Sequence, residues 1–296
     1  MGTARTLEVG ADKEFKQPSA AIGAAKPGDV VSIQPGEYFD CAVVHTGNLT
    51  IQGVGDPSKV LMTDKACAGK GILVIDGDGD TVRNLTLTRA RVPDGNGAGI
   101  RNEAPNLTID RVMFVNNQNG ILSTPSTPGT VRITGSTFDR NGYCGNSGGC
   151  AHGVYVDKAS LVHIENSTFV GTKQGHHIKS RGARLEVVGT SIMDGPEGTA
   201  SYEIEAPNGG SVVVRNCTIE KGPQAENRGT VIAIGTEGVT QPTPEITITD
   251  NTFKNDAPAQ TVFVRNLTAT EAVLKGNKLS GPVKPLDGDG KVIAGS

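Results

Sequence analysis

Short runs of alternating apolar and polar residues recur along almost the whole chain, as in Leu107-Thr-Ile109, Val131-Arg-Ile133, Val162-His-Ile164, Leu185-Glu-Val187 and Ile246-Thr-Ile248. Alternation with a period of two marks a strand with one buried face. Asn, Gly and Asp break every run and leave no room for helices between them. Each run is followed by a second apolar signal closing on one bulky residue: Leu87, Phe114, Phe138, Phe169, Ile192, Ile219, Phe253 and Leu279. These residues recur after 27, 24, 31, 23, 27, 34 and 26 positions. Several short strands per repeat predict a solenoid whose rungs stack about 4.8 Å apart, with apolar columns inside. The Leu-rich consensus of a horseshoe is missing, and Val, Ile and Thr dominate. The expected fold is therefore all-β, a single-stranded right-handed parallel β-helix. Asn at the turns suits left-handed backbone and side-chain stacking.

The amino end has a different pattern. Pro18-Ser-Ala-Ala-Ile-Gly-Ala-Ala25 reads as a short helix with Pro in its first turn, followed by the strand Val30-Val-Ser-Ile33. Such a helix would close the open end of the solenoid, whose last rung otherwise exposes core and unpaired edge groups. One domain is expected over residues 1–296, with the cap and first strands in 1–40, coils in 41–280 and a tail in 281–296.

Composition narrows the function classes. The 296 residues include 40 Gly but only 7 Phe, 4 Tyr and no Trp, which excludes an ordinary helical bundle. Lys plus Arg number 28 against 31 Asp plus Glu, with no basic block, so no nucleic-acid partner is expected. No apolar run approaches the ~20 residues that span a bilayer, so no membrane partner is expected either. Five cysteines leave at least one unpaired. Cys144 and Cys150 flank the flexible spacer Gly145-Asn-Ser-Gly-Gly149, and Cys41 and Cys67 lie one repeat apart, so two disulfides are expected, against the alternative of free buried thiols. Cys217 reads as a small core residue. Such disulfides would lead one to expect a protein outside the cytosol, secreted or periplasmic, with its leader absent from this chain.

The candidate chemistry lies on one strand column. If alternation continues through each segment, Val154, Val156, His176, Ile178, Tyr202 and Ile204 face inward. Tyr155, Asp157, His177, Lys179, Glu203 and Glu205 then face outward, with Arg101 earlier on the same column. Neighbours along a strand face are about 6.7 Å apart and neighbours between coils about 4.8 Å, within reach of one sugar unit. A plain ladder of compensating charges is the bland alternative. The mixed set suits β-elimination on a uronic-acid polysaccharide, an acidic polymer. There a base removes the proton beside the sugar carboxylate, an acid protonates the leaving oxygen, and cations neutralise the carboxylate. Lys179 or His177 is a candidate base, Tyr155 can donate or abstract a proton, and Arg181 can clamp a carboxylate in a fork. Arg101, His152, Asp157, Glu203 and Glu205 are candidate substrate contacts. Adjacent strand residues such as His176 and His177 point to opposite faces and make a poor zinc pair.

Two resemblances sharpen this reading. The segment from Phe15 to Tyr38 resembles the capping segment of pectin-methylesterase-like β-helix enzymes of the pectate-lyase-like superfamily. Ile178-Lys179-Ser180 resembles the Lys-Ser motif of chondroitinase-B-like alginate lyases, which implies Lys179 as the base. The family pairs that lysine with an arginine on the next coil, where this chain reads Tyr202-Glu203-Ile204-Glu205, leaving Arg181 and Tyr155 as substitutes. It also uses calcium held by carboxylates, which implies Glu203 and Glu205 as ligands for Ca²⁺. Two other classes remain open: a glycoside hydrolase using Asp157, Glu203 and Glu205 on an acidic polysaccharide, and a non-catalytic carbohydrate-binding or adhesion β-helix. An esterase would need an outward Asp pair beside an Arg, and none is visible.

Overall fold

A computed structural model describes residues 3–145 and 149–295. Its strands stack into three long parallel sheets of twelve, ten and ten strands, and a two-stranded hairpin pairs Tyr143–Cys144 with Cys150–Ala151. Each coil visits the three sheets in turn, and equivalent residues of successive coils pair in register, as in Val131↔Val162, Val162↔Leu185 and Leu185↔Val212. The alternating residues dictate this: Val131, Ile133, Val162 and Ile164 are fully buried while their neighbours face out. Turns take left-handed backbone at Asn84, Asn116, Asn166 and Asn216, which Asn tolerates better than other non-glycine residues. Asn117 and Asn141 stack inside the corner, and Asn117 donates to Asn141 Oδ1 at 3.2 Å.

The helix Pro18–Ala24 buries Pro18, Ala21 and Ile22 against the first rung. At the other end the expected tail is corrected. Val283–Asp287 and Gly290–Ile293 are strands paired with Thr261–Asn266 and Ala272–Lys275, and they add a last rung. Val283 and Leu286 pack on the core there, a signal that the surrounding Pro, Gly and Asp conceal in the sequence.

Cys41–Cys67 and Cys144–Cys150 are disulfides, and Cys217 is a free buried thiol whose pKa burial raises to about 11. The middle of the Cys144–Cys150 spacer, 146–148, lies outside the described residues. Among the described residues no helix is long and apolar enough to cross a membrane.

Down the lumen, Phe114, Phe138 and Phe169 stack face to face at 4.6 and 4.4 Å between centroids. Glycines stand opposite them. A Cβ on Gly99 would lie 2.8 Å from the Phe114 ring, and one on Gly120 2.8 Å from the Phe138 ring. Where the phenylalanine column continues as Ile192 and Ile219, the glycine column continues as His177 and Glu203. Large side chains thus replace glycines where the opposing residue shrinks, as close packing demands.

Candidate active site

The outer face of one ten-stranded sheet carries the column Arg101, Leu122, Tyr155, Lys179, Glu205, each residue in register with the next. Beside it runs a groove of about 780 Å³ lined by Arg101, His152, Tyr155, His176 and Lys179, among others. Next to Tyr155 and Lys179, outside the groove lining itself, stands Arg181, just past Ile178–Ser180. Arg181 Nε donates to the Tyr155 hydroxyl at 2.8 Å, NH1 donates to Asn208 Oδ1 at 2.6 Å, and NH2 meets Glu237 Oε2 at 2.7 Å. Burial would weaken its charge, but Tyr155 and Glu237 reverse that and raise its pKa. Lys179 Nζ lies 5.4 Å from the Tyr155 ring centroid, 3.5 Å from Glu205 Oε2 and 3.3 Å from Glu237 Oε1.

His177 and Glu203, expected on the outer wall, lie in the lumen and are fully buried. His176, expected inside, faces the groove. Backbone geometry gives the reason. The N–H groups of His177 and Ile178 both donate to the following coil, at Tyr202 O and Glu203 O. A pleated strand turns successive N–H groups to opposite sides, so the pleat is interrupted here and the alternation restarts at Ile178. Gly153 with Val154, and Gly120 with Ile121, show the same paired donation one and two coils earlier.

Inside, His177 joins Thr172 Oγ1 and Asp194 Oδ1, each at 2.8 Å, and Lys221 Nζ lies 3.1 Å from Glu203 Oε2. Lys221 also donates to Ser201 O and Asn227 O, both at 2.7 Å. Burial pushes the Glu203 pKa well above the usual carboxylate range, and Lys221 opposes that shift. Burial would raise Asp194 too, but the bond to His177 outweighs it and keeps that carboxylate below its ordinary value.

Calcium shared by Glu203 and Glu205 does not fit, because the two carboxylates point to opposite sides of the sheet: Glu203 meets Lys221 inside, and Glu205 meets Lys179 outside. His177, Asp194 and Glu203 do place ligand atoms within 4.8 Å of one another. The His177–Asp194 bond and the Lys221 ammonium beside Glu203 Oε2 engage part of this cluster, while Glu203 Oε1 is buried without a hydrogen-bond partner.

On the groove side a ladder of rings replaces the expected His177. His152 stacks on His176 at 4.7 Å between centroids, and His176 leans on Tyr202 at 4.9 Å. His152 Nδ1 accepts the N–H of His176, and His176 Nδ1 accepts the N–H of Tyr202, at 2.8 and 3.1 Å. Both rings are thereby left to carry their proton on Nε2. Burial, then the neighbouring His176, Lys179 and Arg181, hold the His152 pKa well below its ordinary value. The Nε2 of His176 lies 3.0 Å from Glu205 Oε2. Burial would raise Glu205, but His176, Thr236 and Lys179 bring it down to about 2.

Arg101 lines the groove and donates to Thr124 Oγ1 at 3.2 Å. Asp157 sits half-buried one position along, outside the groove lining. Glu237 and Asn208 were not singled out by the sequence. Asn208 and Glu237 arrive from loops one and two coils further on, and nothing in their local pattern marks them. His176 was assigned to the wrong face by the alternation rule.

With three parallel sheets and this coil register, the chain belongs to the right-handed β-helix proteins. The family described as "Right handed beta helix region" matches residues 146–293. Among solved structures, an alginate lyase from Paenibacillus sp. str. FPU-7 has a TM-score of 0.57 at 15% identity, covering 97% of this chain and 99% of its own. A mutant of the PL6-family alginate lyase AlyGC has a TM-score of 0.54 at 17% identity. It covers all of this chain, which spans only 38% of that protein's length. The pectin methylesterase from Aspergillus niger has a TM-score of 0.53 at 13% identity, covering 98% of this chain and 92% of its own. At such identities these likenesses concern the fold. No curated protein matches the sequence.

Proposed function

We propose that the protein is a polysaccharide lyase that cleaves a uronic-acid polymer by β-elimination. The observation that carries this reading is the convergence of Lys179, Arg181 and Tyr155 beside one open groove. Lys179 serves as the base that takes the proton from C5 of the uronate. The electron pair left on C5 forms the C4–C5 double bond as the C4–O bond breaks. Tyr155 gives its proton to the departing glycosidic oxygen. Arg181, already donating to that phenol oxygen, faces the negative charge that develops there. Arg181 neutralises the sugar carboxylate, whose charge grows as C5 loses its proton, and Lys179 adds its positive charge there once it has taken that proton. His152 and Arg101 flank the groove as contacts for neighbouring sugar units.

The β-helix alginate lyases among the similar folds support the reading without deciding it. Hydrolysis has weaker support, because Glu203 is in the lumen and Glu205, held at about 2, cannot act as the protonated acid. The two disulfides support a secreted or periplasmic location.

The test is incubation with a panel of uronate polymers, including alginate and pectate, while following the far-ultraviolet absorbance of the conjugated double bond. Rising absorbance supports elimination. New reducing ends without that absorbance would select hydrolysis.

A further inference from the structure

We propose that Glu237 is a built-in competitor for the substrate's carboxylate: its side chain fills the anion seat between Lys179 and Arg181, and an acidic sugar binds by displacing it. This deepens the lyase reading and rests on it for the identity of the ligand. Glu237 offers one oxygen to each cation, Oε1 to Lys179 at 3.3 Å and Oε2 to Arg181 at 2.7 Å. A uronate carboxylate docking on the same two groups would need this arrangement.

The two carboxylates near Lys179 differ in how firmly they are held. Glu205 is 4% exposed, is bonded by Thr236 at 2.6 Å, and lies 3.0 Å from the His176 ring. It cannot leave without opening the wall. Glu237 is 45% exposed and is held by the two cations alone among the described side chains. Its backbone, by contrast, is pinned. Glu237 N–H donates to Pro207 O at 2.9 Å, the Asn208 side chain donates to Gly238 O at 3.1 Å, and the Gln241 side chain donates to Arg181 O at 3.0 Å. Displacement therefore takes only a rotation of the Glu237 side chain into solvent, with no loop movement.

Charge counting explains what this selects. With Glu237 in place, Lys179 and Arg181 are balanced by Glu205 and Glu237, and the seat has no net attraction for a further anion. With Glu237 rotated out, one positive charge is uncovered. A carboxylate restores the balance, whereas a neutral sugar or an esterified uronate leaves it uncompensated. The seat thus favours free acids over esters and neutral units. The cost of displacement is that of a half-exposed ion pair, so removing Glu237 should tighten anion binding about two- to fivefold.

The experiment titrates glucuronate, which has no glycosidic bond to break, and glucose as the neutral control, into wild type, Glu237→Gln and Glu237→Ala, read by NMR. The expected result is a glucuronate dissociation constant about two- to fivefold lower in both variants, with glucose unaffected. Unchanged or weaker glucuronate binding in the variants, or no glucuronate binding by any of the three proteins, would overturn the proposal. Polymer cleavage by all forms with unchanged glucuronate binding would leave the lyase reading standing and remove the competitor. Tighter glucuronate binding without cleavage of any polymer would do the reverse.

Discussion

Arg181 ties the groove together: it holds the Tyr155 oxygen with one nitrogen and Asn208 and Glu237 with the others. Lys179→Ala should lower elimination by about 10²–10⁴-fold, the range that general acid–base groups supply. Its melting temperature should fall only modestly, because Glu205 keeps His176 and Thr236 as partners when Lys179 is lost. Retained turnover would remove Lys179 from the base role. Tyr155→Phe keeps the ring under Lys179 but loses the transferable proton, so turnover should fall while uronate binding persists. Glu205 provides a prediction in pH. Its folded pKa of about 2 lies below that of an unfolded glutamate, so it stabilises the fold above the unfolded value. That contribution is lost as pH falls from about 5 towards 2. In Glu205→Gln the acid-side loss of stability should be shallower, measured by urea midpoints across that range. An unchanged acid limb would contradict the assignment.

At the scale of the strand, much of the site could be read from alternation, and the errors have one cause. Tyr155, Lys179 and Glu205 follow the period-two rule because they lie within Val154–Val156, Ile178–Ser180 and Ile204–Ala206. His177 and Glu203 immediately precede such strands, and at His177 and Ile178 consecutive N–H groups donate to the same coil, so the pleat resets. The sequence did hold a clue: opposite the Phe column the chain places glycines, and where Phe gives way to Ile192 and Ile219 it places His177 and Glu203 instead. Only the assembled lumen shows that these residues share a space. Lys221→Met should therefore cost about 3–5 kcal/mol, because it strips the lumen network of its only described cation beside Glu203. Gly120→Ala should cost about 1–3 kcal/mol through overpacking against the Phe138 ring and the Gly153 carbonyl. Denaturant midpoints measure both.

The whole solenoid was legible because its repeat is written in short strands and Asn turns, and because its amino end carries a helix-forming segment unlike the rest. The last rung was not, since Gly281 to Gly290 reads as loop until the coil beneath it supplies a partner. Loops that reach across coils, such as that carrying Glu237, depend on the stacking of distant segments and leave no local pattern. The Cys41–Cys67 bridge joins positions 26 residues apart near the cap, and chain entropy assigns it about 3.5 kcal/mol. Replacing both cysteines by Ser should lower the melting temperature more than the same change at Cys144 and Cys150, which are six residues apart. The most direct measurement is the far-ultraviolet absorbance of a uronate polymer mixed with wild type and with Lys179→Ala. The elimination reading predicts a rising signal from wild type that the variant loses while keeping its fold. No absorbance from wild type on any polymer of the panel, or an equal signal from the variant, would contradict it.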